Sequence, residues 1–573
     1  MKKLLSRNLR ETLIYLLAVC VPFVMIVKVI EKPAHIHETL FTEKVVYDFL
    51  TFYKGVAILT LATIMVVVVV YDLISKNEFS NKIVGVLRKP HNILMGIFAL
   101  LIIISTVLSS YKVESLLAQY ISGEGALHWL AYIIIFIYTQ VYLTRLGFEG
   151  IGKGLAITSF IVTILGILAY SGKSLFENSS FMSLISPAGL NIEVNDVFYQ
   201  RFSTIFGNPN HLGTYIAIVM PLMLFYPFEW MKDFKRYCIV NSNLFALIIL
   251  SKTSAGLLSI FIVLSVSILM YKWIKFRAFK EVVILMGCFI AIYVGVGAIT
   301  ESTLLTTEYE QLRNVTTYKE RPMLINNIEL SKETITFEFF KDELKLIKHN
   351  NGIVFEFNGK QEMINPEVND SYYEFKNNEL DGIKFRMYDS QTMDLIISEN
   401  QFYVVNKDTT LALYDSYSRE FIDEEISFIG FNGYEKFASG RGYIWSRGLS
   451  LLKNNLWIGS GADTFAMYFP QHDIEGKILA KGDYYFAVDK PHNAYLYIGH
   501  SFGLIALLVF CLSIIMYMVS LINSSNSDRQ LLVWKMLSFT AVAIVFMFND
   551  STVHTGSILW TVMGYNIINR LDD

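Results

Sequence analysis

Disulfide and metal chemistry are the first things this sequence lacks. It holds only four cysteines, Cys20, Cys238, Cys288 and Cys511, all in apolar segments and none at metal-ligand spacing. The long polar stretch before Lys490 has none, so it is not a disulfide-stapled module. The histidines form neither a His-x-x-x-His nor a Glu-flanked zinc pattern. Charge is scarce as well. Only 17% of residues are charged and the net charge is -3, so charge balance gives no reason to expect nucleic acid. No internal repeat or low-complexity run stands out. No small-residue cleavage site follows the first apolar segment, which reads as an uncleaved anchor.

Apolar residues are what the chain has in excess. Of 573 residues, 53% are hydrophobic, and the mean hydropathy is +0.42. That is too apolar for an ordinary soluble protein. A membrane span takes roughly 20 apolar residues, and about twelve such stretches can be marked. They start near Leu13, Ala57, Ile93, Leu127, Gly154, Leu212, Tyr237, Ala255, Val282, Ala494, Leu531 and Ser557. The seventh carries Asn241, Ser242 and Asn243, which suit contact with other helices better than lipid.

Positive charge sets the orientation. Lys2, Lys3, Arg7 and Arg10 place the N-terminus in the cytoplasm. Alternate loops are then basic: Lys76, Lys82, Arg88 and Lys89; Arg145 and Lys153; Lys232, Lys235 and Arg236; Lys272, Lys275, Arg277 and Lys280. The first outer loop, with Lys32, Lys44 and Lys54, fits least well. Both termini come out cytoplasmic. The expected fold class is an all-α polytopic membrane protein with about twelve transmembrane helices and an extracytoplasmic β-rich insertion. Residues 1–299 hold the first nine helices, 300–490 lie outside, and 491–573 hold the last three. Period-two alternation marks the insertion at about 325–430, as in Ile335-Thr336-Phe337-Glu338-Phe339 and Gln401-Phe402-Tyr403-Val404-Val405. Asn350-Asn351-Gly352 suits a hairpin turn.

A few polar residues stand at the outer span ends. Arg201 precedes the turn Gly207-Asn208-Pro209-Asn210. Its guanidinium can grip phosphate oxygens or serve as a topology anchor. Asn210 and His211 enter an apolar run, where polar side chains line cavities. Gly440 and Gly442 flank Arg441 and permit close backbone approach to a ligand. Arg447 follows on the same helical stretch; both arginines also read as ordinary residues packing by their stems. Gly459-Ser460-Gly461 lacks the Lys-Ser/Thr ending of a nucleotide loop and reads as a turn that redirects the chain. His492, in Pro491-His492-Asn493, is the candidate base at the mouth of the tenth span, or a packed interfacial residue. Asp550, in Asn549-Asp550-Ser551-Thr552, either orients that histidine or caps the last helix, and the cap is favoured.

Taken together these motifs resemble the O-antigen ligase and polymerase superfamily. The matching pieces are Arg201 to Asn210 with Leu212-Gly213-Thr214-Tyr215, Gly440-Arg441-x-x-x-Trp445, Gly459-x-Gly461-x-x-Thr464-Phe465, Pro491-His492-Asn493-Ala494-Tyr495-Leu496, and Asn549-Asp550-Ser551. The resemblance runs from about residue 200 onward; before that only the topology matches. It implies a polytopic glycosyltransferase that moves a glycan from a polyprenyl-diphosphate carrier to an acceptor hydroxyl outside the cytoplasmic membrane. It implies an inverting reaction with no metal and no cofactor. His492 and Arg441 would be catalytic; Arg201, Asn210, Lys252, Arg447 and Asn493 would bind substrate. Expected partners are the lipid-linked donor, a glycan or lipid acceptor, the membrane and other envelope-polysaccharide assembly proteins, with no nucleic acid. Two features depart from the family. Leu250-Ser251-Lys252-Thr253-Ser254 has a lysine where the family carries an arginine, and the β-rich insertion is one many ligases lack. The rival class is a polysaccharide or lipid-linked oligosaccharide transporter, which would show half-to-half repeats and midplane charges; a scaffold with a β ectodomain is the third reading.

Overall fold

The computed structural model describes residues 7–34, 36, 43–118, 123–187, 190, 204–269, 279–300, 325–339, 341–349, 352–363, 372–375, 380, 383–389, 391–398, 400–406, 410–415, 420–422, 426–524 and 529–565. Helices dominate. Among the described residues, those of eight residues or more are, in chain order, α1 (Arg7–Tyr15), α2 (Phe52–Ser75), α3 (Glu78–Leu87), α4 (Pro90–Leu108), α5 (Ala126–Tyr142), α6 (Arg145–Tyr170), α7 (Pro209–Phe225), α8 (Phe234–Ser251), α9 (Ser254–Leu269) and α10 (Phe279–Thr300). After the strands come α11 (Phe437–Leu451), α12 (Ile474–Lys481), α13 (Ala494–Ser524), α14 (Arg529–Phe548) and α15 (Gly556–Gly564).

Among the described residues, five helices have the length and hydropathy to cross a membrane: α2, α4, α6, Lys280–Ala298 within α10, and Ala494–Ile522 within α13. Apolar helices also stand at Ala126–Tyr142, Pro209–Phe225, Ser254–Val266 and Leu532–Phe548, but they are shorter. Local chemistry explains the shortening. The first apolar segment leaves α-helix at Leu16 for a π turn and then a 3-10 turn containing Pro22. Helix α7 is buried from Leu212 through Phe225 and carries Pro221, so protein, not lipid, surrounds it. By contrast, Val67, Val70 and Ile74 on α2, and Ile93, Ile97, Leu100 and Val107 on α4, are exposed. Exposed branched side chains repeating at helical spacing form the stripe expected to face lipid.

Close approach and buried polar contacts hold the bundle. A Cβ on Gly213 would meet Thr253 Oγ1 at 2.5 Å, which brings the first turn of α7 against the start of α9. At the other end of α2, Arg10 pairs with Asp72 at 2.6 Å, and Tyr142 donates to the same carboxylate at 2.6 Å. Helix α13 breaks at Gly503, whose φ is +89°. A Cβ there would lie 2.2 Å from the Trp457 carbonyl. Into this break packs Gly459-Ser460-Gly461, with Ser460 N donating to His500 O (2.8 Å) and Gly461 N to Ser501 O (2.9 Å). That turn is thus a backbone clamp on α13.

Among the described residues the strands form three sheets. A hairpin of β1 (Lys28–Glu31) and β2 (Val45–Asp48) precedes α2, a feature hydropathy alone did not announce. Strands β3 (Asn327–Leu330), β4 (Thr334–Glu338), β5 (Glu343–His349), β6 (Gly352–Phe357) and β7 (Lys360–Met363) form one antiparallel meander. Strands β8 (Tyr373–Glu374), β9 (Ile383–Met387), β10 (Thr392–Ile397), β11 (Asn400–Asn406), β12 (Leu411–Asp415) and β13 (Glu420–Ile422) form a second. They lie within the stretch that period-two alternation marks. His349 pairs with Gly352, while the Asn350-Asn351 corner lies outside the described residues. Phe337, Leu346, Phe355, Phe385, Leu395 and Phe402 interdigitate between the two sheets, and Ile474 and Ile478 of α12 join that core. Asn400 Nδ2 donates to Gly482 O (3.1 Å), which ties β11 to the segment leading toward His492.

Candidate functional site

Polar residues from five distant parts of the chain meet at one end of the bundle. The loop between α14 and α15 is the hub. Its Asn549, Asp550, Ser551 and Thr552 are all buried, which is affordable only if each is bonded. Asn549 Nδ2 donates to the Asn210 carbonyl and to Thr214 Oγ1, both at 3.2 Å, which fastens the loop to the first turn of α7. The Asn549 carbonyl accepts from Ala494 N (3.2 Å), fastening it to α13 as well.

His492 faces this hub from the start of α13. Its Nδ1 lies 3.0 Å from Asp550 Oδ2, and the imidazole is 42% exposed while Asp550 is nearly closed off. A carboxylate only accepts, so Nδ1 carries the proton that Asp550 receives. The backbone holds this pose under strain. His492 has φ +49°, a left-handed conformation uncommon for a side-chain-bearing residue. Three bonds sustain it: Asn493 N to Asp550 Oδ1 (3.2 Å), Asn493 Nδ2 to Met547 O (3.0 Å), and Trp445 Nε1 to Pro491 O (2.9 Å). The expectation of a capping role for Asp550 is corrected here. Thr555, not Asp550, stands at the N-cap of α15, and both Asp550 oxygens serve the His492 turn.

Arg441 reaches the same loop from α11. Ala438, Ser439 and Gly440 all lie at positive φ (50°, 63° and 90°), and regular helix resumes only at Arg441. Its Nε donates to Phe548 O (2.8 Å) and Nη1 to Ala438 O (2.8 Å), with Nη2 a looser 3.5 Å from Asn549 Oδ1. The flanking glycines serve the chain itself. Gly440 supplies the left-handed turn, and a Cβ on Gly442 would sit 2.0 Å from the Tyr434 carbonyl. Burial pushes the Arg441 pKa down, opposed by the Asp550 charge.

The other expected ligand residues take different places. Arg447 is buried against Asp473, its Nε 2.7 Å from Oδ2, and its guanidinium lies over the Tyr443 and Phe428 rings. It anchors α11 to the start of α12. Asn493 is the cap of α13: its Oδ1 accepts from Tyr495 N and Leu496 N at 3.0 Å. Its role is to position His492. Asn210 contributes its carbonyl to the hub and is half-buried. Lys252 is exposed in the left-handed C-cap of α8, next to Thr253, which packs on Gly213. Arg201 lies outside the described residues.

Two residues of the site were not singled out from sequence. Lys490 is buried behind His492. Burial works against its charge, but Asp463, Asp550, Glu124 and Asp489 outweigh it and hold its pKa above the ordinary value. For Asp550, burial would raise the carboxyl. The His492 bond and the charges of His492, Lys490 and Arg441 prevail and hold it below the usual range. Glu124, just before α5, is buried too. It accepts from the Tyr132 hydroxyl (2.6 Å) and Ser551 Oγ (3.3 Å), and burial pushes its pKa up to about 7. Among the described residues no three His, Cys, Asp or Glu side chains are grouped to hold a metal. Beside the site, Trp445, Leu449, Leu452, Tyr495, Leu496 and Leu507 line an apolar cavity of about 260 Å³ that also touches Asn493.

Glu124 gives a stability prediction. An acid whose pKa rises on folding keeps its proton longer in the folded state. Its contribution is complete below the ordinary 4.5 and is lost as pH rises through about 7. Glu124→Gln, which keeps the acceptor oxygen and removes the titration, is expected to flatten this dependence. Thermal midpoints in detergent between about pH 5 and pH 8 measure it; parallel curves for both proteins reject it.

Comparison with protein-family models, with curated proteins and with solved structures finds no match.

Proposed function

We propose that the chain is a membrane glycosyltransferase of the O-antigen ligase and polymerase type. It would move a glycan from a polyprenyl-diphosphate carrier to an acceptor hydroxyl at the outer face of the cytoplasmic membrane. The topology in this reading has about twelve spans, both termini cytoplasmic, and residues 300–490 outside. The observation that carries it is the His492–Asp550 pair, 3.0 Å apart, set on the same loop that anchors Arg441 through Phe548.

The chemistry follows from those positions. His492 Nε2 takes the acceptor's hydroxyl proton as the oxygen attacks the anomeric carbon from the face opposite the leaving group. The bond from that carbon to the diphosphate oxygen breaks, and the diphosphate leaves with the electron pair. Asp550 stabilises the imidazolium so formed, and Arg441 meets the charge that grows on the diphosphate. Arg201 and Lys252 are proposed as further cations of the donor site. The apolar cavity at Trp445 and Leu449 suits the first isoprene units. Metal independence comes with the family reading.

Reconstitution in liposomes with a polyprenyl-diphosphate glycan, with and without chelator, is the direct test. Transfer that needs His492 and survives chelation supports the reading; no transfer from any such donor overturns it. A lengthening lipid-linked product marks a polymerase, and glycan on a different anchor marks a ligase. Asp550→Asn leaves the shape but disrupts the orienting bond. A charged hydrogen bond of about 1.5–3 kcal/mol sets the expected loss at roughly 10- to 100-fold in turnover. Unchanged turnover would remove Asp550 from the mechanism.

A further inference from the structure

The solvent side of the six-stranded sheet is not an ordinary polar face. Registers place Arg386 of β9, Asp394 of β10, Tyr403 of β11 and Tyr414 of β12 side by side across four strands. Alternation puts them opposite the core residues Phe385, Leu395, Phe402 and Leu413. Tyr388 extends the row. Its ring is 5.9 Å from Tyr403, which is 5.8 Å from Tyr414. Tyr372 and Tyr388 are exposed, and the Arg386 guanidinium lies 4.7 Å and 4.6 Å from their rings.

Asp394 organises the polar part. One carboxylate oxygen accepts from Arg386 Nη2 (2.9 Å), Gln401 Nε2 (2.9 Å), Tyr372 (3.2 Å) and Tyr388 (2.5 Å). The side chains are therefore fixed before any ligand arrives, which lowers the entropic penalty of binding. The row is also joined to the candidate site. Gln401 N donates to the Tyr485 hydroxyl (2.9 Å), and the Tyr484 hydroxyl donates to the Gln401 carbonyl. Both tyrosines lie in the segment that runs on to His492.

We propose that this face is a glycan-binding platform that holds saccharide units of the polymer beside the transfer site. Sugar rings offer apolar C–H faces that stack on aromatic rings, and hydroxyls that pair with planar polar groups. Tyrosine rings alternating with a guanidinium, a carboxylate and an amide present both. At about 4.8 Å per strand, the row spans roughly three sugar units. Arg386 and Asp394 neutralise one another, and Lys384 on the same side pairs in register with Glu374, so the described part of this face carries no cationic excess of the kind that anionic lipid requires. The choice of a glycan rests on the glycosyltransferase reading; the binding itself is tested without transfer.

The probe is oligosaccharide released by mild acid from the surface polysaccharide of the cells that make this protein. Saturation-transfer NMR titrates it against the full chain in nanodiscs, with a dextran fragment of equal size as control. Wild type is expected to bind the released fragment. Tyr403→Ala with Tyr414→Ala is expected to weaken binding roughly tenfold or more, and Tyr403→Phe to stay within about twofold. Should the double variant fold poorly by circular dichroism, Tyr388→Ala at the exposed end of the row makes the same test. No binding at millimolar fragment, equal binding by the tyrosine variants, or capture of phosphatidylglycerol vesicles in preference to glycan each overturns the platform. Binding intact with transfer absent would sink only the enzyme reading; transfer intact with binding absent would sink only the platform.

Discussion

Proteoliposomes bearing His492→Ala are expected to transfer no glycan above background, while the protein inserts and folds. Removing a general base lowers turnover by about 10² to 10⁴. Two structural side effects need separating from that loss. The first is Asp550, left without its 3.0 Å partner in a nearly closed site. Lys490 and Arg441 still face that carboxylate, so its charge stays compensated. The second is backbone strain, because position 492 sits at φ +49°. Alanine there carries a left-handed penalty of about 1 kcal/mol, and glycine does not. His492→Gly relieves the strain and still removes the imidazole. Both variants should therefore be equally inactive although glycine relaxes the turn. Normal product from either one, measured as lipid-linked or transferred glycan, removes His492 from the base role.

What the sequence disclosed depended on the range of the interaction involved. Hydropathy locates apolar helices because each residue contributes independently of its neighbours in space. Helices begin close to the residues marked from sequence, as at Ala494 and at Phe279 before Val282. Their lengths were less legible. Helix α7 lies inside protein, and a buried helix is not held to the thickness of lipid. Alternation in 383–387 and 400–406 announced strands for the same additive reason. The site was harder, because its logic is pairwise. The link from Asp550 to His492 spans 58 positions, and nothing local separates an orienting carboxylate from a helix cap. Arg441 and Arg447 look equivalent in the chain. On a helix, six residues turn the side chain to a different face, so Arg447 meets Asp473 while Arg441 meets Phe548. Asn493 is a ligand residue by resemblance alone; nothing local announces that its Oδ1 caps α13 while its Nδ2 holds the Met547 carbonyl. Glu124 and Lys490 carried no local motif; only the fold brings them behind Asp550.

Arg441→Lys is expected to be nearly as damaging as loss of the histidine, although it preserves the charge. Arg441 does two things at once. Its Nε and Nη1 hold the Phe548 and Ala438 carbonyls at 2.8 Å, which fixes where the guanidinium plane lies. In the proposed reaction the N–H groups on the remaining edge would then meet the diphosphate in a fixed fork. An ammonium has three donors on a single atom and no plane. It can satisfy one carbonyl near the old position, but it cannot bridge both and also present two parallel donors to a diphosphate. Half-buried among carbonyls, it also costs more to desolvate than the more weakly hydrated guanidinium. Removing one preorganised donor at a developing negative charge lowers turnover by about 10² to 10³, so a loss of that size in kcat/KM for the lipid-linked donor is expected. Thermal midpoints should move far less, because Trp445 and Ile429 still fasten α11 to its neighbours. A lysine variant that turns over near the wild-type rate would show that Arg441 is a fastening of the loop and not a grip on the diphosphate.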